Sequence, residues 1–322
     1  MKYLPFLILS LFVSNLIWAQ NPDIKIIDIA EAGKSKISEL KIFDQQIYAI
    51  TSSGIFRSSD SGNYFSKLSI SPSIKNISDI DIFKNTTLIS SSTQGVYYLN
   101  SEKNSYERAK GFNADTQITA LQIIGKKVYA LHSSGKIYFS KNGKKFKALK
   151  KQDFYSYLSS NNPNNAPAQI LFELNGKLGV IGTGNNIYLT SKKGRKWEFK
   201  KGPYASSYPA SYLYANNTFY LAVSTKGIFR SFDLLENWEE LPNNSSISAV
   251  NHINYFDSSL VYSTNYGLGV HYITENLKTK SIFLPVNQVH STLFTPYGWF
   301  FGSNNGRIIK IESVKELKEI TQ

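Results

Sequence analysis

The side chains in this sequence that could do chemistry are few and scattered. Its four histidines, His132, His252, His271 and His290, stand 120, 19 and 19 residues apart, so no two share a helix turn or a strand face as a zinc-binding pair does. His132 ends a repeated strand where other copies carry Thr51, Ser92, Ser224 or Ser303, which makes it a strand-end polar residue rather than a ligand. Cysteine is absent, which excludes disulfides, a thiol nucleophile, iron-sulfur ligation and a lipid anchor on cysteine. The sequence contains no Gly-x-Ser-x-Gly elbow and no phosphate-cradling glycine loop. Between residues 125 and 201 the only acids are Asp153, Glu173 and Glu198, so paired carboxylates for glycoside chemistry are not evident there. The reading is of a chain that is not an enzyme, with no catalytic residue, no metal ligand and no cofactor.

Binding chemistry is better represented, and it is cationic. The formal net charge is +13, and residues 125 to 201 hold 16 Lys and Arg against 3 acids, while the remaining residues hold 20 of each. Lys141, Lys144 and Lys145 fall in one polar turn, and Lys192, Lys193, Arg195 and Lys196 in the equivalent turn of the next repeat. Single lysines keep a surface solvated, but a cluster of this kind makes a local field that attracts anionic partners. An acidic protein, an anionic polysaccharide or lipid headgroups fit that field. Nucleic acid does not, because the only interleaved aromatics, Phe146 and Trp197, are expected to be buried.

The chain opens with a leader. Met1-Lys2 is followed by a mostly Leu, Phe, Ile and Val stretch to residue 18, and Trp18-Ala19-Gln20-Asn21-Pro22 offers a small residue before polar sequence. Residues 1–19 therefore read as a signal peptide and predict export to the periplasm or beyond the cell. In residues 20–322 no apolar run approaches the ~20 residues of a membrane span.

Self-similarity organises the rest of the chain. In the first copy, apolar runs at residues 37–43 and 47–51 flank Asp44-Gln45-Gln46, Ser52-Ser53-Gly54 turns the chain into Ile55-Phe56-Arg57-Ser58, and residues 64–70 close the unit. The glycine turn recurs around residues 95, 135, 185, 227, 269 and 306, at spacings of 41, 40, 50, 42, 42 and 37. Four short β-branched and aromatic segments in a period near 42 predict an all-β chain, a single seven-bladed β-propeller of four-stranded blades over residues 20–322. Either Leu317–Ile320 or Ile24–Ile29 could supply the outer strand that closes the ring.

The second turn of the first repeat reads Ser58-Ser59-Asp60-Ser61-Gly62-Asn63-Tyr64-Phe65, which resembles the Asp-box, or bacterial neuraminidase repeat, Ser-x-Asp-x-Gly-x-x-aromatic. An acid at a turn start caps backbone amides, glycine permits positive φ, and the aromatic packs between blades. Ser231, Asp233 and Trp238 repeat the pattern with Leu235 at the glycine position, Gly194 and Trp197 repeat it with Lys192 in place of the acid, and Ser140 to Phe146 is one residue short. Propellers of this kind include sialidases, sortilin-type receptors and photosystem II assembly factors. A sialidase likeness would imply three converging arginines, a Tyr-Glu pair and an acid/base Asp. Of the five arginines here, Arg57 and Arg230 occupy one repeated position, which suits a structural role.

The inner strands begin on the face that carries the linkers between blades, opposite the box turns. Two linkers are long and Tyr-rich, one with Tyr155 and Tyr157, the other with Tyr204, Tyr208 and Tyr212, and their composition suits adaptable recognition loops. The function implied is a secreted or periplasmic non-catalytic module that binds a protein or an anionic polymer. The alternative is a sialidase-like protein that binds or hydrolyses glycans.

Overall fold

The computed structural model describes residues 24–312 save 72, 151–169, 191–195, 205, 206, 243–248, 257, 258, 265–269, 274–278, 283, 285 and 287. The signal sequence, Tyr155, Tyr157, Lys192, Lys193, Gly194, Arg195 and the segment 317–320 lie outside the described residues.

Among the described residues the chain forms seven four-stranded antiparallel sheets. Each begins with an inner strand: Ile37–Phe43, Ile77–Phe83, Ile118–Ile124, Ile170–Leu174, Pro209–Ala215, Val250–Phe256 and Val289–Thr295. Each blade packs against the next, in most joints inner strand on inner strand and between the first two through strand Gln46–Thr51, and the last returns to the first, so the blades close around a central channel. Two-residue hairpins join several inner strands to their second strands. Asp44-Gln45, Lys84-Asn85 and Asn216-Asn217 all take positive φ, the conformation that follows the right-handed twist of the flanking strands.

The core lies between blades rather than within them, in seven clusters, each spanning two neighbouring sheets. The aromatic that ends each box turn plugs such a seam. Phe65 joins Ile47, Phe300 and Ile308 between the last blade and the first. Phe146 joins Leu88 and Val128 between the second and third, Trp197 joins Leu131 and Leu178 between the third and fourth, and Trp238 joins Phe219 and Leu221 between the fourth and fifth. Phe146 is fully buried, whereas both tryptophans are half-buried because their outer edges reach the rim. The Trp238 indole N–H donates to the Lys201 carbonyl at 3.1 Å across the seam.

The last sheet takes its outer strand from the other end of the chain. Ile24–Asp28 pairs antiparallel with Arg307–Ile311, from Ile24 opposite Ile311 to Asp28 opposite Arg307. Ile27 packs on the seam to the first blade, and Arg307 bonds Asp28 at 2.8 Å. Of the two segments that could close the ring, the N-terminal one holds the place. No helix among the described residues is long and apolar enough to cross a membrane.

Deleting residues 24–28 should strip the edge of strand 307–311 and uncover the seam beneath Ile27. The expected loss is about 3 kcal/mol or more in denaturant unfolding, with concentration-dependent association through the bared edge seen by size-exclusion chromatography. Trp238→Ala, which removes a half-buried seam plug, should cost about 3 kcal/mol in the same assay.

Candidate functional site

Three places gather the polar side chains: the box turns on one rim, the linkers on the opposite face, and the channel. The box turns share one hydrogen-bond scheme. Ser58 donates to Asp60 Oδ1 at 2.6 Å and accepts from the Gly62 amide at 2.9 Å, while Asp60 Oδ1 accepts from the amides of Asn63 and Tyr64. Ser231 and Asp233 repeat this around the amides of Leu235, Glu236 and Asn237. In the shorter turn Ser140 caps Gly143, and Asn142 Oδ1 accepts from Lys144 and Lys145 at 3.0 and 3.1 Å. An amide oxygen thus does the capping there, and the turn survives without its acid. At Gly62 φ is +79°, and a Cβ would meet the Phe300 ring at 2.2 Å, so glycine is required.

Hydrogen bonds also set the charge of these turns. Amide and side-chain donation from Asn237, with Ser231 and Glu236 adding to it, hold the Asp233 carboxyl down at about 2. Burial alone would raise Asp60, but Ser58 and the amides of Tyr64 and Asn63 outweigh it and lower its pKa.

The basic rim is wider than the two turns suggested by sequence. Lys141, Lys144 and Lys145 are exposed, and the third blade's turn docks on the second blade, where Lys110 pairs with Lys145 and Lys84 Nζ donates to the Lys141 carbonyl at 2.8 Å. Lys144 Nζ lies over the Tyr98 ring at 5.3 Å. Among the described residues Lys84, Lys110, Lys141, Lys144 and Lys145 have no acidic partner. Lys196 is exposed on the next blade.

On the linker face, Tyr204 and Tyr208 are exposed, and Lys226 Nζ sits 5.0 Å from the Tyr204 ring centre. Their linker is tethered. Buried Asn185 donates from Nδ2 to the carbonyls of Tyr204 and Ser207 at 2.7 and 3.2 Å, and Ser207 donates to the Ser224 carbonyl. Tyr212 does not belong with them. It lies inside the inner strand Pro209–Ala215, because Pro209 opens a strand instead of continuing a loop, and its hydroxyl donates to Gln122 Oε1 across the channel at 3.3 Å.

The channel is the site that sequence reading missed. One repeated inner-strand position, after a bulge in six blades, carries Glu39, Asp79, Ala120, Ser211, His252 and Ser291. Aligning the inner strands shows a polar residue at this position in five of these six blades, with Ala120 the exception. Lys41 of the first blade reaches Asp79 of the second at 2.5 Å, and Asp79 Oδ2 accepts the Leu121 amide of the third at 2.8 Å. Glu39 lies 3.4 Å from Lys41. With Asp81, Gln122 and Tyr212 these groups line a cavity of about 430 Å³. It shares Ile170 and Tyr212 with a second cavity of about 730 Å³, lined by Glu173, Ser211, Tyr214 and His252.

Burial, then the Asp79 charge, push Glu39 up to about 7 against the pull of Lys41. Burial raises Asp81 to about 6, with Lys41 opposing and Asp79 adding. Burial disfavours the Lys41 ammonium, yet the charges of Asp79 and Glu39 outweigh it and hold its pKa above the usual lysine range. Burial lowers His252 to about 4, and its Nδ1 pairs with Thr292 Oγ1 at 2.9 Å. His132 is a turn cap: its Nδ1 accepts the Ser134 amide at 2.9 Å, as Thr51 and Ser91 accept the corresponding amides. The register therefore matches His132 to Thr51 and Ser303 as expected, but to Ser91 and Val223, each one residue before the Ser92 and Ser224 of the sequence reading. Among the described residues no group of acids and histidines could hold a metal.

Fold and site together define a β-propeller of four-stranded blades with a charged channel and a basic rim. No protein-family model matches the sequence, and no curated protein does. Solved structures match it over nearly the whole chain. Virginiamycin B lyase from Staphylococcus aureus superposes with a TM-score of 0.71 at 12% identity, covering 90% of this chain and 99% of that one. YCF48 bound to D1 peptide gives 0.71 at 13% identity, with 91% and 98% covered. The extracellular domain of a one-component system from B. thetaiotaomicron gives 0.70 at 12% identity, with 90% of this chain and 40% of that one covered. At these identities the likeness is one of fold.

Because Asn142 caps as an acid does, Asp233→Asn should keep the blade-five turn formed, while Asp233→Ala should lower the melting temperature clearly. A carboxyl held low stabilises the fold above its unfolded pKa and loses that contribution as pH falls toward 2. The melting difference between wild type and Asp233→Ala should therefore be largest at pH 6 and shrink as pH falls toward 2, where only the neutral cap remains.

Proposed function

We propose that the chain is an exported, non-catalytic propeller of the Asp-box type, with seven blades, that holds an acidic protein partner on the basic rim of its second, third and fourth blades. The observation that carries this reading is the set of exposed lysines with no acidic partner among the described residues, Lys84, Lys110, Lys141, Lys144 and Lys145, in a protein whose excess charge is confined to one sector. Keeping such like charges together opposes the compact state unless a partner neutralises them. A propeller of this fold in complex with a peptide, YCF48 with D1, supports a protein partner, and the export part of the reading rests on the leader at residues 1–19.

The channel's polar groups favour a non-catalytic reading because many are already spent on the joints between blades. Asp79, Ser211 and His252 each bond the neighbouring blade. The arginine clamp of a sialidase-like site is not assembled among the described residues. Arg108 donates to the Gln94 carbonyl, Arg230 pairs with Glu239, and Arg307 pairs with Asp28, all on third or outer strands.

The test is binding of a fluorescent poly-glutamate peptide to the mature protein and to a triple variant, Lys141→Glu, Lys144→Glu and Lys145→Glu. Affinity should fall at least tenfold in the variant with melting nearly unchanged, and the wild-type affinity should drop steeply between 0.05 and 0.3 M salt, because exposed charges are screened over about 10 Å at 0.1 M. Equal binding by both proteins, insensitive to salt, would refute the reading.

A further inference from the structure

The joint between the first three blades is built unlike the other joints described. Elsewhere neutral side chains span from one inner strand to the next: Ser291 to the Ile37 carbonyl, Ser211 to the Ile253 amide, Asn251 to the Val289 carbonyl and Asn254 to the Thr292 carbonyl. Ser78 makes the same kind of bond to the Ile118 carbonyl, but beside it runs a charged chain, Lys41 to Asp79 to the Leu121 amide. Around that chain three carboxylates, Glu39, Asp79 and Asp81, face one ammonium inside the walled channel.

We propose that this junction is a proton-sensitive stitch, drawn tight when the Glu39 and Asp81 pair takes up a proton and loosened when both acids are ionised.

The argument is one of charge balance in a confined space. Lys41 neutralises Asp79, its nearest partner, and its contact with Glu39 is longer, at 3.4 Å against 2.5 Å. Among the described residues Asp81 accepts from its own neighbour alone, the Ile82 amide. With both remaining acids ionised, two like charges compete with Asp79 for Lys41, and any turn of Lys41 toward them weakens its bonds to Asp79 and to the Ile80 carbonyl, which tie the first blade to the second. A proton on one of them removes the competition. Among the described residues the other groups around the cluster supply no second cation. Gln122 of the third blade is neutral, Glu173 of the fourth is acidic, and burial holds the Tyr212 phenol of the fifth up at about 12, where it stays protonated. The 36% of the Glu39 side chain that meets channel water gives the proton a path in and out.

The direction follows from linkage. Carboxyls whose folded pKa lies above the unfolded value bind protons on folding, so stability falls as pH rises from the ordinary carboxylate range toward 7. The Leu121 amide, which donates to Asp79, reports on the joint directly.

Hydrogen exchange of that amide, corrected for its intrinsic rate, should lose protection at least tenfold between pH 5.5 and 8 in the wild type. In a Glu39→Gln, Asp81→Asn double variant the change should be under twofold. The Ile253 amide, which donates to neutral Ser211 at another joint, should keep constant protection in both proteins. Flat protection at Leu121 in the wild type, or the same loss in the double variant, would overturn the proposal. Should the variant fail to fold, carboxyl carbon-13 titration of the wild type decides instead: midpoints for Glu39 and Asp81 of 6 to 7 support it, and midpoints below 5 refute it.

Discussion

Every inner strand of this ring has one edge bonded to its own blade and one edge that faces the channel with no ladder partner. Backbone groups on such an edge must be satisfied, and among the described residues no inner strand pairs with that of the next blade. In the second, fifth, sixth and seventh blades side chains at the bulge or just after it do this. Ser78, Asn251 and Ser291 donate to a carbonyl of the next inner strand, and Asp79 and Ser211 accept an amide from it. The ring is therefore closed at its centre by hydrogen bonds and between its blades by apolar seams. Both kinds of contact link residues about one repeat apart.

That division explains where binding chemistry can be placed. A residue in a seam or at a stitching position cannot change without a cost to the ring, while the rim turns and linkers are constrained only at their capping and packing positions. In the third blade's turn, Ser140, Asn142, Gly143 and Phe146 are committed to capping or burial. Lys141, Lys144 and Lys145 between them are free to carry charge, which is why the lysines accumulate there without disturbing the fold. The channel shows the opposite economy, since its charges belong to the framework first.

The blades were readable in the sequence because their signals are local. Short apolar strands, turn residues with positive φ and an aromatic at a fixed distance depend on neighbours within one repeat. Long-range matters were less visible. Ile24–Asp28 and residues 317–320 have similar composition, and only the pairing of residue 24 with residue 311 distinguishes them. The Pro, Ser and Ala residues before Tyr212 read as loop composition, although Pro209 sits at a strand start, where a missing amide proton is tolerated. The channel cluster was hidden because Glu39, Lys41, Asp79 and Asp81 alternate with apolar residues, the pattern of an ordinary strand with one wet face. Which face is wet, and that it is enclosed, follows only from ring closure.

The degenerate boxes show why counting motif matches understates a repeat fold. Leu235 stands at the position of Gly62 and keeps its conformation, with φ of 75° against 79°. For a side chain with a Cβ that backbone costs about 1 to 2 kcal/mol. Gly62 has no such option, since a Cβ there would strike the Phe300 ring, whereas the seam beside Leu235 accepts its side chain fully, with Phe172, Phe219 and Phe229 in the same cluster. Burying a leucine contributes roughly 1.5 to 3 kcal/mol, enough to offset the strain. The turn is thus conditional on its seam: glycine is needed where the neighbouring blade presents a large ring, and dispensable where it leaves a hole. A box can lose its glycine to packing, or its acid to an amide as at Asn142, and still turn the chain in the same way.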